Sequence, residues 1–135
     1  MPPDFPSRIL ILFLLFITSG CMTPSASELA RADFGFTPDS YQQQIKDHFS
    51  QTLFDPYSAH YQFGQPYEAS VYKGIFRGGG YYFGHAVDVL VNAKNRFGGY
   101  VGNTAHTIFF TSIGELHDVT GNTSLRRINS QFSRY

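Results

Sequence analysis

The sequence predicts an α+β domain in which an N-terminal helix packs on a small antiparallel β-sheet. Between about residues 38 and 54, apolar side chains recur every four positions, which is the spacing of one face of a helix. From residue 57 the apolar spacing is two, which is typical of a strand with one buried face. Short glycine-rich segments separate the later runs, as in antiparallel sheets with tight connections.

The predicted helix has recognisable ends. Thr37 is its candidate N-cap, and Pro38 suits the first helical position because that position needs no hydrogen-bonded N–H. Asp55-Pro56 predicts the end, since the residue before a proline is disfavoured in the helical conformation. The face expected to contact the sheet carries Tyr41, Ile45, Phe49 and Leu53.

Extended runs follow the helix. They cover residues 57–63, 69–76, 83–93, 104–113 and, as a short run, 115–119. In the third run odd-numbered and even-numbered residues would point to opposite faces, so that Val87 is buried when Asp88 is not. Glycines at 78–80 and 98–99 predict turns, because glycine adopts a positive φ without steric penalty.

The C-terminal segment predicts a second helix. Asn122 or Thr123 is its candidate N-cap, and Leu125, Ile128 and Phe132 follow at helical spacing.

The N-terminus carries nine apolar residues, Ile9–Ile17, directly after Arg8. This run is too short to span a bilayer, which takes about 20 residues, but it matches the central region of a secretory signal peptide. Ser19 and Gly20 precede Cys21, the only cysteine, and this arrangement resembles the lipobox of bacterial lipoproteins. The resemblance implies cleavage before Cys21 and acylation of that residue. An ordinary cleaved signal peptide with a buried cysteine is the alternative.

The same resemblance predicts a destination. An aspartate after the lipidated cysteine commonly retains Gram-negative lipoproteins in the inner membrane, and this chain has Met22 there. We therefore expect a lipid anchor in the outer membrane. The expected organisation is a signal peptide at 1–20, the lipidated cysteine and a tether at 21–36, and the α+β domain at 37–135. As a flexible coil, the tether would span roughly 20 Å.

Composition disfavours several classes of protein. Lys and Arg total 10 and Asp and Glu total 10, so the chain lacks the positive charge that nucleic-acid binding needs. With 42% hydrophobic and 15% charged residues, it is too apolar for a disordered protein. The single cysteine excludes an internal disulfide and a multi-cysteine metal site.

Two elements resemble a group of small, largely uncharacterised bacterial envelope proteins, many of them lipoproteins. The first is Leu53-Phe54-Asp55-Pro56-Tyr57-Ser58-Ala59, and the second runs from Asn92 to Gly102 as Asn-Ala-Lys-Asn-Arg-Phe-Gly-Gly-Tyr-Val-Gly. The resemblance covers about residues 37–113 and implies an extracytoplasmic domain. It implies no reaction and no catalytic residue.

The second element contains the candidate binding residues. We call the set Lys94, Asn95, Arg96, Phe97 and Tyr100 the binding ledge. In one interpretation these residues only build a glycine turn, because asparagine supports turns by local hydrogen bonds and the rings pack back on the sheet. In the other they hold a peptide or a glycan.

Catalytic and metal sites are not expected. The sequence has no Gly-x-Ser-x-Gly element, and the only cysteine is assigned to the lipid. The histidines lack metal-ligand spacing, and His85 and Asp88 have opposite parity on their strand. We expect neither a metal nor another cofactor.

The sequence therefore predicts a non-catalytic, lipid-anchored outer-membrane lipoprotein. Its role would be a binding or structural module of an envelope or secretion assembly, with an envelope protein or a glycan as partner and no nucleic acid. The alternative is a membrane-displayed inhibitor of a cell-wall hydrolase, which would insert the loop 95–102 into an active-site cleft.

Overall fold

A six-stranded antiparallel sheet with two short helices makes up the computed structural model, which describes residues 23–74 and 77–128. The helices are α1 (Ala26–Leu29) and α2 (Tyr41–Ser50). The strands are β1 (Asp55–Phe63), β2 (Tyr67–Tyr72), β3 (Tyr81–Lys94), β4 (Thr104–Thr111), β5 (Leu116–Asp118) and β6 (Leu125–Arg127). The antiparallel sheet expected from the spacing of two and the glycine turns is confirmed.

Strand β3 organises the sheet. One of its edges pairs with β4, which in turn pairs with β5. Along its other edge β1 and β2 lie one after the other, with Phe63 opposite Val89 and Tyr72 opposite Tyr81. Strand β6 then pairs with the outer edge of β2.

The odd-numbered and even-numbered residues of β3 lie on opposite faces, as the sequence predicts, and each face carries an apolar cluster. On one face α2 places Ile45 and Phe49 in a buried cluster with residues of β3 and β4, namely Val87, Val89, Val91, Ile108 and Phe110. The opposite face carries a second cluster of Ala69, Val71, Ala86, Phe109 and Val119. Val119, which follows β5, packs on this even-numbered face of β3, a contact that the sequence did not indicate.

The ends of α2 differ from the prediction of residues 38–54. Its N-cap is Ser40, not Thr37, and the Tyr41 N–H donates to the carbonyl oxygen of Pro38 at 2.9 Å, so that the proline lies in a turn before the helix. The helix ends at Ser50 because the chain is drawn into β1 from Asp55 onwards. Leu53 still packs against the first cluster from outside the helix.

The predicted C-terminal helix is wrong over its described part. Leu125–Arg127 form β6, with Leu125 opposite Val71 of β2. The edge of β2 offers unpaired backbone groups, and pairing with them outweighs a weak local preference for helix. Phe132, the last residue of that pattern, lies outside the described residues.

Strand β2 ends at Tyr72, earlier than the predicted run of 69–76. The glycine turn that follows is confirmed, since Gly78, Gly79 and Gly80 have φ values of 83°, 65° and 78°.

Part of the predicted tether is ordered. The carboxylate of Glu28 accepts hydrogen bonds from the backbone N–H and the hydroxyl of Ser25, which together lower its pKa and cap α1. Phe34 packs edge-on against Phe83, with ring centroids 5.5 Å apart. The segment therefore differs from the coil expected along its whole length. The predicted signal peptide at 1–20 and Cys21 lie outside the described residues.

Candidate functional site

The binding ledge lies at the end of the sheet where β1 begins and β3 ends. Asp55 is opposite Lys94 across the two strands. The hydroxyl of Ser58 accepts a hydrogen bond from the Lys94 N–H at 2.9 Å, which ties the start of β1 to the end of β3. The two sequence elements, residues 53–59 and 92–102, therefore meet here, although 36 residues separate Ser58 from Lys94.

Asn95 builds the turn that follows β3. Its side-chain oxygen accepts hydrogen bonds from the backbone N–H of Phe97 at 2.9 Å and of Gly99 at 3.3 Å. Its own backbone pairs with Gly98 and Gly99 across the same turn. The Asn95 amide oxygen is thus occupied by local contacts, which is the turn-forming role expected in the structural interpretation.

Tyr100 connects the turn to β1. Its backbone forms a bridge with Lys94, and the Lys94 ammonium lies 5.4 Å from the centre of the Tyr100 ring. The Tyr100 hydroxyl lies 3.1 Å from Nε2 of His60 on β1. The sequence does not indicate His60 as part of this site, because only the pairing of β1 with β3 brings it into contact with Tyr100.

Arg96 and Phe97 form the outer part of the turn. The Arg96 guanidinium lies 6.0 Å from the centre of the Phe97 ring, and this ring projects into solvent. The Asn95 hydrogen bonds fix the backbone of this turn, and the turn exposes an aromatic ring and a cation to solvent.

Four exposed rings lie in or next to the chain segments that form this end, and we call them the aromatic end. They are Phe54, Tyr57, Phe97 and Tyr100, with 74%, 100%, 88% and 48% of their surface exposed. Tyr57 was expected on the half-buried face of its strand, and that expectation is wrong. A register irregularity between Asp55 and His60 breaks the alternation there and turns the ring to solvent.

A groove leads away from the aromatic end between α2 and β1, with a volume of about 570 Å³. Residues of both elements line it: Gln43, Lys46, Asp47, Ser50, Pro56, Tyr57, Ala59, His60, Tyr61 and Phe63. Tyr57 belongs to both the groove and the aromatic end, so the two surfaces are continuous.

Two clusters of polar side chains elsewhere in the structure are arranged as contacts that hold the fold together. Nδ1 of His106 lies 3.5 Å from the Asp118 carboxylate, and the Thr120 hydroxyl contacts both groups. Burial raises the pKa of Asp118, but the hydrogen bonds from Thr120 and the nearby His106 outweigh it, so the net pKa is lowered. Because carboxylate and hydroxyl contact the same histidine nitrogen, the cluster lacks the arrangement in which a histidine links a carboxylate to a nucleophile.

Asp88 on the opposite face is half exposed and also partnered. It accepts hydrogen bonds from Thr107 at 2.8 Å and Tyr67 at 3.2 Å, and it lies 3.4 Å from Arg127 of β6. Burial and then the charge of Asp88 raise the pKa of Tyr67. Because Arg127 also stacks on the Tyr67 ring, this cluster fastens β6 to the sheet.

Within residues 23–74 and 77–128, no group of three His, Cys, Asp or Glu side chains is placed to hold a metal ion. His85 and His106 do lie on neighbouring strands, but they pair with Phe110 and Val89 and so are staggered along the sheet.

Neither helix of the described chain has the length and apolar character that crossing a membrane requires. No protein-family model matches the chain, and comparison with curated proteins and with solved structures gave no significant match.

Proposed function

We propose that the protein is an outer-membrane lipoprotein, anchored through Cys21, whose α+β domain binds an envelope protein or glycan without catalysing a reaction. The lipobox-like sequence supports the anchor, because small residues precede the only cysteine at the end of an apolar run. The aromatic end supports the binding role. The processed chain would start at Cys21, with residues 21–36 leading to the domain.

The aromatic end is the main support for the binding role, because its exposed rings form apolar surface that a partner can cover. Exposed aromatic residues that cluster are typical of binding surfaces, whereas single ones are common on any protein. Burying one phenylalanine side chain contributes about 1.5–3 kcal/mol, or roughly a tenfold to hundredfold gain in affinity. Lys94 and Arg96 border the rings and suit a partner with acceptor oxygens at its rim.

The polar groups at this end favour binding over catalysis. Nε2 of His60 is engaged with the Tyr100 hydroxyl, and the Asn95 oxygen is engaged in its turn. In the part of the chain that the structure describes, no carboxylate is hydrogen-bonded to His60 to orient it as a base for acyl transfer.

Phe97→Ala should weaken partner capture by about tenfold to a hundredfold, because the ring is exposed in the free protein and buried only in the complex. The measurement is the amount of partner recovered with the protein after crosslinking in membranes. Phe36→Ala is the matched control, since Phe36 is 93% exposed and lies next to Gly35, which contacts Ser112 away from the aromatic end. Equal losses from both variants would contradict the assignment of this surface.

Cys21→Ala should abolish lipidation, because Cys21 carries the only thiol in the chain to which the lipid can be attached. Incorporation of a fatty-acid probe measures it, and the expected result is an unlabelled precursor that keeps its N-terminal segment. Ser19→Ala keeps a small residue before the cysteine and should be labelled normally. Continued labelling of Cys21→Ala would remove the anchor from the proposal.

The turn after β3 favours one second candidate, an inhibitor of a cell-wall hydrolase. A loop that enters an active-site cleft binds more tightly when its backbone is already fixed, and the Asn95 oxygen fixes this turn with Phe97 facing outward. Inhibition of a panel of muramidases by the purified protein, lost on Phe97→Ala, would favour this candidate. Capture of a non-enzymatic partner with no inhibition would favour the first.

A further inference from the structure

The outer edge of β1 lacks a paired strand among the described residues. Strands β1 and β2 lie along one edge of β3, and their outer edges point the same way. β6 covers the β2 part with antiparallel pairs from Ala69 to Val71. The β1 part, which borders the groove, has no such cover in residues 23–74 and 77–128.

The backbone groups on this edge have a definite direction. The Gly64 N–H donates to the Asp88 carbonyl oxygen at 2.8 Å, so Gly64 faces β3. Since backbone groups of successive residues in an antiparallel strand alternate in direction, Gln62 also faces β3, whereas the N–H and C=O of Tyr61 and Phe63 point away from β3. The outer edge of β1, beside the groove, therefore offers two donors and two acceptors, spaced as the backbone of another strand is spaced.

The walls of the groove leave room for a backbone. Ala59 has the smallest side chain among the β1 residues that line the groove, whose volume is about 570 Å³. On the α2 side the wall is polar, with Asp47 accepting a hydrogen bond from Gln43 at 2.8 Å. An extended peptide satisfies both features, because its backbone pairs with the strand and its alternate side chains enter the groove.

We propose that the groove binds an extended peptide, which adds to β1 as a further strand of the sheet. This inference rests on the proposed binding function, because it names the class of partner whose contacts begin at Tyr57 of the aromatic end. The partner is then a protein with an extended segment, since a glycan offers no backbone that could continue the sheet.

Amide hydrogen exchange of the whole protein tests the pairing residue by residue. The probe is a peptide selected on the protein from a displayed library of random peptides. In the free protein the Tyr61 and Phe63 amides should exchange quickly and the Gln62 amide slowly, because only Gln62 faces β3. With peptide bound, exchange at Tyr61 and Phe63 should slow by at least about tenfold, while Gln62 changes little.

A groove-filling variant supplies the control. Ser50→Trp places a large ring in the groove from α2 and should weaken peptide binding by about tenfold or more, whereas Gln42→Trp, on an exposed helix position that does not line the groove, should leave it unchanged. Three results would each overturn the proposal. The first is that no peptide is enriched, and the second is that a bound peptide leaves Tyr61 and Phe63 unprotected. The third is that both amides are already protected in the free protein. In the last case a segment of the chain itself occupies the edge. Loss of partner capture on Phe97→Ala would still stand in any of these cases, so the two proposals fail separately.

Discussion

Gly84→Ala is expected to destabilise the protein by at least about 3 kcal/mol, at the upper end of the cost of overpacking a close contact. A Cβ at Gly84 would overlap the carbonyl oxygen of Phe110 and would lie 2.9 Å from the carbonyl carbon of the same residue. The neighbouring atoms are backbone, so no side chain can move aside. β3 and β4 would have to separate at the point where Gly84 faces Thr111.

Denaturant unfolding of the purified protein measures this effect as a shift of the transition midpoint. Gly99→Ala is the matched control, because its nearest neighbour would be the Asn95 side-chain oxygen at 4.0 Å. That variant should change the free energy of unfolding by no more than about 0.5 kcal/mol. Similar midpoints for the two variants would show that β3 and β4 do not approach as closely as described.

Phe49→Ala is expected to cost about 3–5 kcal/mol, the usual range for a phenylalanine removed from a core. Phe49 is 3% exposed, and its ring centre lies 4.8 Å from that of His106 and 6.1 Å from that of Tyr61. Truncation leaves a cavity between α2 and the sheet that these rings cannot fill without leaving their own contacts.

Thermal unfolding followed by circular dichroism gives the measurement for Phe49→Ala. The control is Phe54→Ala, which removes the same ring from a position that is largely exposed and should shift the free energy of unfolding by no more than about 0.5 kcal/mol. A near-neutral Phe49→Ala would mean that α2 does not pack on the sheet through this face.

Periodicity predicted the buried face of α2 and the two faces of β3, because burial imposes those spacings directly on the sequence. Ile45, Phe49, Val87 and Val89 are buried as expected. The predicted start of α2 was wrong, because proline suits a turn as well as the first position of a helix, and Pro38 lies in a turn. The prediction of a C-terminal helix was wrong because Leu125 pairs with β2, and no local sequence pattern encodes that long-range pairing.

The sequence predicted only the part of the candidate site that depends on local structure. Lys94 and Tyr100 come together because the turn between them is local and its glycines indicate it. The contribution of Tyr57 depends on an irregularity of β1, and that of His60 on the pairing of β1 with β3. Both are tertiary features, so the sequence indicated only the half of the aromatic end that follows β3.

Site-specific photocrosslinking in intact cells tests the binding role of the aromatic end most directly. A photoreactive phenylalanine analogue is placed at Phe97 and, in a separate strain, at Phe36, because both rings are exposed and lie in different segments of the chain, one in the turn after β3 and one beside Gly35, which contacts Ser112. We expect one dominant crosslinked product from position 97 that is absent from position 36. The same products from both positions, or none from position 97, would contradict it.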